Sequence, residues 1–169
     1  MLSVAQGKSN IKIVPATDGE VYAVAGDNYR VVISGDQSNG MYSAFDMIVP
    51  PGGGPTPHSH PNFMEFFFVI EGELTYKTEA GHAVVGKGGL VHIPFGGDIH
   101  CFKNESDSVA RVLCVTLPTG MERMFAKIGE AAAIGEFKPV PDMTAERIAL
   151  LNSVNDEFQQ VTYPADYLD

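Results

Sequence analysis

The chain has 169 residues, a length for one domain, and 44% of them are apolar, enough to bury a core without disulfides or a structural metal to staple it. Its 11 Lys and Arg face 21 Asp and Glu, a net charge of −10; such a surface repels phosphate backbones, so nucleic acid is not an expected partner. No stretch approaches the ~18 continuous apolar residues of a membrane span, and Met1–Asn10 carries neither a basic cluster nor an apolar stretch of leader type, so the expected location is the cytoplasm, away from membranes.

Up to about residue 118 the chain reads as short strands punctuated by Gly, Pro, Asn and Asp. The candidates are Ile11–Val14, Val21–Ala25, Tyr29–Ile33, Met41–Val49, Glu65–Ile70, Leu74–Thr78, His82–Val85, Leu90–Pro94, Ile99–Lys103 and Val109–Leu117. They are rich in β-branched and aromatic residues and recur roughly every ten residues, as in a sandwich or barrel. Turns are expected at Asp27-Asn28, Glu71-Gly72 and Ala80-Gly81. Strand parity puts Glu65, Phe67 and Val69 on one face of their strand and Phe66, Phe68 and Ile70 on the other. Three apolar residues facing outward imply cover by C-terminal helices or by a second subunit. Cys101 and Cys114 read as small buried hydrophobes, not as a disulfide.

After Pro118 the apolar period becomes helical. Gly120–Ala133 carries Met121, Met124, Phe125 and Ile128 at helical spacing. Asp142–Phe158 carries Met143, Ile148, Leu151, Val154 and Phe158 as one stripe, with Asp142 or Thr144 as N-cap. Three segments of one domain result: N-terminal strands completing a barrel over 1–40, a barrel core over 41–118, and a helical extension over 119–169.

The informative stretch runs from Gly52 through His58, His60 and Glu65 to Gly72. On an extended backbone residues i and i+2 share a face, so the His58 and His60 imidazoles can reach one point. Glu65 opens the next strand. A fourth ligand must come from elsewhere, and His100 is the candidate, following a corner of Pro94, Gly96 and Gly97. Imidazole with carboxylate suits one divalent transition metal, Fe, Mn, Ni, Co or Zn, and is too rich in nitrogen for Mg or Ca. A lone His-x-His is more often a surface pair; here it occurs with the Glu and a distant Pro, Gly and His inside a strand-rich chain. Gly52–Gly54 reads as a mobile loop beside the ligands, and His82 as a surface residue. His92 has a lesser claim on the pocket. Parity lines the interior with Phe45, Met47, Phe67, Phe95 and Phe102, and sets Met121 and Phe125 over the mouth, a surface for a flat aromatic substrate.

Gly52, His58, His60, Glu65 and Gly72 fit the motif Gly-x5-His-x-His-x(3,4)-Glu-x6-Gly, and Gly88, Pro94, Gly96 or Gly97, His100 and Asn104 fit Gly-x5-Pro-x-Gly-x2-His-x3-Asn. In these motifs the chain resembles the cupin superfamily. One departure stands in the corner, where three residues separate Gly96 from His100 and the motif has two; either Gly97 takes the motif position or the corner carries an extra residue. The resemblance implies an all-β fold, a double-stranded β-helix or jelly-roll barrel with one or two C-terminal α-helices, the metal inside the barrel, and a homodimer.

A narrower resemblance rests on Pro50-Pro-Gly-Gly-Gly-Pro, on Glu65-Phe-Phe-Phe-Val-Ile-Glu-Gly-Glu-Leu, on Leu117-Pro-Thr-Gly-Met-Glu-Arg-Met-Phe and on the late helix Thr144–Asn155. There the chain is similar to bacterial single-domain cupins of the quercetin 2,3-dioxygenase-like group. That implies dioxygen as co-substrate and a flavonol or related aromatic enol as the small-molecule substrate. Glu65 would be catalytic, as proton acceptor for a metal-bound hydroxyl. A metal-dependent isomerase or lyase on a small sugar or dicarbonyl compound would use the same ligands. A sugar phosphate would call for more cations than Arg30, Lys77, Lys87, Lys103 and Arg111 supply. A non-catalytic binding module is the third reading.

Overall fold

Alternation of buried and open positions decides where each strand lies, and it is cleanest in β10, Ala110–Leu117, whose Ala110, Val112, Cys114 and Thr116 are all buried. The computed structural model describes residues 11–169. Met1–Asn10, with the leader question and the first part of the 1–40 segment, lies outside the described residues.

One sheet gathers β1 (Val21–Val24), β2 (Asp27–Ile33), β3 (Ser43–Val49), β5 (Met64–Glu71), β8 (Leu90–Ile93), β10 and the short β11 (Glu130–Ala131). Their order is β11-β1-β2-β3-β10-β5-β8. The other holds β4 (His58–Ser59), β6 (Glu73–Thr78), β7 (Gly81–Gly86), β9 (His100–Lys103) and β12 (Val161–Thr162), in the order β12-β4-β9-β6-β7. All pairings are antiparallel. The inner faces share one core, with Phe45, Val49, Val69, Leu74 and Val112 fully enclosed. This is the two-sheet jelly roll expected, with two short helices, α1 (Met121–Ile128) and α2 (Ala145–Phe158).

Several local expectations are corrected. Ile11–Val14 joins no strand: the next turn is closed by the Asp18 N–H on the Pro15 carbonyl, and the Pro15 and Asp18 carbonyls both accept from Arg30. The first hairpin turns at Ala25-Gly26, with φ of 51° and 96°, the two positive values a two-residue loop needs. Asp27 and Asn28 are instead the first residues of β2, buried at 1% and 0% exposure. The Asn28 amide donates to the carbonyls of Ala133 and Glu136, each at 2.9 Å.

Helix α1 stops at Gly129, short of the expected Ala133. A side chain there would stand 2.9 Å from Tyr22 Cβ, so the glycine lets the chain turn tightly against β1 and pair with it as β11. Helix α2 starts after Thr144, whose hydroxyl accepts from the Arg147 N–H at 3.2 Å. Within it only Val154 and Phe158 are buried; Ile148, 44% exposed, and the preceding Met143, 62% exposed, stand over the barrel mouth. Gln159, in the left-handed region at φ 53°, ends the helix and delivers β12 to the edge of β4. The helices sit at the mouth and leave Phe68 and Ile70, 42% and 37% exposed, on the outer face. Among the described residues no helix is long and apolar enough to cross a membrane.

Candidate metal centre

Pro55, Pro57 and Pro61 frame the segment that carries the first two histidines and hold it out of helical conformation. The two-residue β4 is fixed from both sides. His58 stands opposite His100 of β9, and Thr162 of β12 pairs on the other edge. Directly opposed residues of an antiparallel pair project to the same side, so the His58 and His100 rings meet with centroids 4.5 Å apart. His60, two residues on, joins them at 4.9 Å from His100 and 5.4 Å from His58. Glu65 arrives from the facing sheet. Its Oε2 lies 3.1 Å from His60 Nε2 and 3.4 Å from His100 Nε2. One ligand atom from each of the four residues lies within 4.8 Å of the others.

The donor chemistry fits a cation. His58 Nδ1 lies 2.9 Å from the Thr56 carbonyl and His100 Nδ1 2.8 Å from the Asp98 carbonyl. A carbonyl only accepts, so both Nδ1 atoms carry a proton, and in the neutral ring that tautomer leaves the Nε2 lone pair free. Metal-bound histidines are oriented by this same arrangement. The buried His100 Nε2 has no hydrogen-bond partner, although it faces a carboxylate oxygen. Two lone pairs so placed call for a positive charge between them. Burial and the neighbouring His100 push His58 down to about 3, so it is neutral and ligand-ready. Burial alone would raise Glu65, but its close contacts with the His100 and His60 imidazoles hold it well below the usual carboxylate range. Burial lowers His60, and the Glu65 carboxylate outweighs it and raises the net value.

The glycine loop before His58 is tied, not free. Gly52 N–H donates to Asn104 O at 2.8 Å, Asn104 N–H to Gly53 O at 3.0 Å, and Gly54 N–H to Asp27 Oδ1 at 3.1 Å. Gly54 has φ 117°, and a Cβ there would meet Phe102 O at 2.1 Å; only glycine lets the loop lie this close to β9. Tyr29 O–H donates to the other Asp27 oxygen at 2.8 Å.

Above the ligands opens a cavity of about 650 Å³ whose wall includes His58, Glu65 and His100. Of the residues expected to line it, Met47, Phe67, Phe102, Met121 and Phe125 do. Phe45 is fully buried one layer behind, its ring 5.0 Å from Phe125. Phe95 is 52% exposed and lies outside the cavity. Gly96 and Gly97, with φ of 128° and 84°, bend the corner so that strand parity does not carry through it. Both glycines are used, which absorbs the extra residue of the second motif. His92 stacks on Phe66 at 4.7 Å on the outer face, away from the cavity. Sequence reasoning missed Tyr29, Lys103 and Arg147 on the wall and Asp27 behind it. The stripe of α2 was the one signal for Arg147, which lies one position before Ile148.

Residues 45–116 match the family model of the cupin domain. The fold is shared with the sugar phosphate isomerase from a cupin superfamily of Silicibacter pomeroyi, at TM-score 0.58 and 21% identity over 64% of this chain and 76% of that one. A predicted oxalate decarboxylase of Thermotoga maritima aligns at TM-score 0.58 and 16% identity over 63% and 99% of the two chains. KdgF from Halomonas sp. aligns at TM-score 0.51 and 16% identity over 58% and 84%. No curated protein matches the chain.

Proposed function

We propose that this chain, with its cupin domain over residues 45–116, holds one divalent transition metal ion on His58, His60, Glu65 and His100 and acts as a dioxygenase on an aromatic enol of flavonol type. The observation that carries the reading is an imidazole-carboxylate cluster, buried except for the half-buried His58, at the floor of a largely apolar cavity. When bound, the metal supplies Lewis acidity, lowering the pKa of a substrate hydroxyl and stabilising its anion. The chain's own part is to bind, orient and dry the substrate. Met47, Phe67 and Phe102 offer faces for a flat ring, and Met121 and Phe125 of α1 close the mouth. Glu65 is the one carboxylate on the cavity wall among the described residues. It is therefore the group placed to take the hydroxyl proton, with geometry ahead of basicity.

A non-oxidative isomerase or lyase is the second reading, favoured by Lys103 and Arg147 on the wall, which could hold an anionic substrate. The apolar lining weighs against a sugar. We also propose the homodimer, supported by the outward Phe68, Ile70 and Leu90, the last 58% exposed.

The test is oxygen consumption with quercetin, using protein stripped of metal and reloaded separately with Mn, Fe, Co, Ni or Zn. Metal-dependent uptake that disappears in Glu65→Ala supports the dioxygenase. Absence of uptake with every metal, in protein that binds one ion per chain, removes it and transfers the assignment to the second reading.

A further inference from the structure

The charge of the cavity wall runs against the charge of the chain. With 21 acids to 11 bases overall, the wall carries Glu65 as its sole acid among the described residues, and that acid belongs to the metal cluster. Two cations, Lys103 and Arg147, share the wall. Most other cations of the fold are matched to acids. Arg30 and Arg111 both bind Asp46, at 2.8 Å and 2.6 Å, and Lys77 binds Asp169 at 2.7 Å and Glu105 at 3.3 Å. Lys127 and Lys138 pair with Glu157 and Glu130. Neither Lys103 nor Arg147 forms an ion pair among the described residues.

The two cations are not equally available. Lys103 Nζ donates to the Gly54 carbonyl at 2.8 Å, and its charge also acts on the buried Asp27 carboxyl. Arg147 sits in the first turn of α2 and gives one hydrogen bond, from Nη2 to the Ile128 carbonyl at 2.6 Å. That leaves most of its planar donor fork uncommitted, the geometry that matches a carboxylate. Its neighbours over the mouth, Ile148 and Leu151, are apolar.

We infer that the substrate is an aromatic acid: chelating oxygens toward the metal ligands, a ring against Phe67 and Phe102, and a carboxylate received at the mouth by Arg147. This rests on the metal site of the preceding subsection and replaces its neutral flavonol with an aromatic substrate that carries a carboxylate. Arg147 is here a specificity-determining residue, with no part in the reaction itself.

The test is calorimetric binding to zinc-loaded protein of caffeate and of its methyl ester, two probes that share catechol and ring and differ in charge. Wild-type protein should bind caffeate about tenfold tighter, the worth of one charge-assisted hydrogen-bonded contact. Arg147→Gln should abolish the preference through weaker caffeate binding, with the ester unchanged. Arg147→Lys should retain part of it, and Lys103→Gln should leave it largely intact. A purely structural role for Arg147, in joining α2 to the end of α1, would instead weaken both probes alike. Equal affinities in wild-type protein, no binding of either probe, or a preference that survives Arg147→Gln overturns the inference. The dioxygenase reading fails separately: absence of oxygen uptake with every metal leaves the charge preference untouched, and uptake on a neutral flavonol with no charge preference does the reverse.

Discussion

Replacing Asp27 by Asn should flatten the pH dependence of folding stability between about pH 4 and about pH 6. Asp27 is 1% exposed, and its two oxygens accept from Gly54 N–H at 3.1 Å and Tyr29 O–H at 2.8 Å. Burial outweighs both bonds and the attraction of Lys103 and pushes the carboxyl up from 3.8 to about 6. In the unfolded chain it returns to its ordinary value. Between the two values the folded protein holds a proton that the unfolded chain releases. The contribution of this group to stability is therefore greatest below about pH 4 and declines as pH rises through about 6. Across that window the displacement corresponds to about 3 kcal/mol. Asn cannot ionise, so this part of the slope vanishes. Asn also has one acceptor oxygen for two donors, a loss of about 1 kcal/mol. Asp27→Asn should thus be the less stable protein at low pH and the more stable one, by about 2 kcal/mol, near neutrality. Guanidinium unfolding of both proteins with a chelator present, in steps across this range, measures the difference, and the histidine titrations common to both cancel. An identical slope in the two proteins would mean that Asp27 is charged throughout, and the burial argument would be wrong.

Two further perturbations follow from packing. Phe125→Ala removes a ring 7% exposed that meets Tyr29 and Phe45, each at 5.0 Å; unfolding free energy should fall by about 3 to 5 kcal/mol, read by denaturant titration, with the metal content per folded chain unchanged. Phe68→Glu places a charge on the outer face of β5, and light scattering after gel filtration should show wild-type dimer converted to monomer, while a wild-type monomer would contradict the proposed assembly.

The cluster of His58, His60, Glu65 and His100 was legible because its members obey short-range rules. His58 and His60 share a face through their spacing alone, and Glu65 stands second in a strand whose alternation holds through Val69, with Glu65, Phe67 and Val69 all buried. What the sequence did not disclose depends on distant contacts. Asp27-Asn28 resembles a turn pair, yet Asn28 is drawn into β2 by carbonyls more than a hundred positions away, at Ala133 and Glu136. Val161-Thr162 has β-branched residues but is too short a run to read as a strand, and it becomes β12 by pairing with the edge of β4. Phe95 was misplaced because parity was carried through a corner where two glycines with positive φ break it. The stripe of α2 reads as a core face, and half of it instead hangs over a cavity that only the folded barrel creates.

The central claim is the metal centre, and the most direct measurement is metal content by elemental analysis after loading and gel filtration. His58→Ala and His100→Ala would be compared with wild type at matched circular dichroism. One ion per chain in wild type, falling close to zero in both folded variants, is the expected result. Full metal content in either variant would contradict the assignment, because His58 and His100 face each other across β4 and β9 and are placed to hold the same ion.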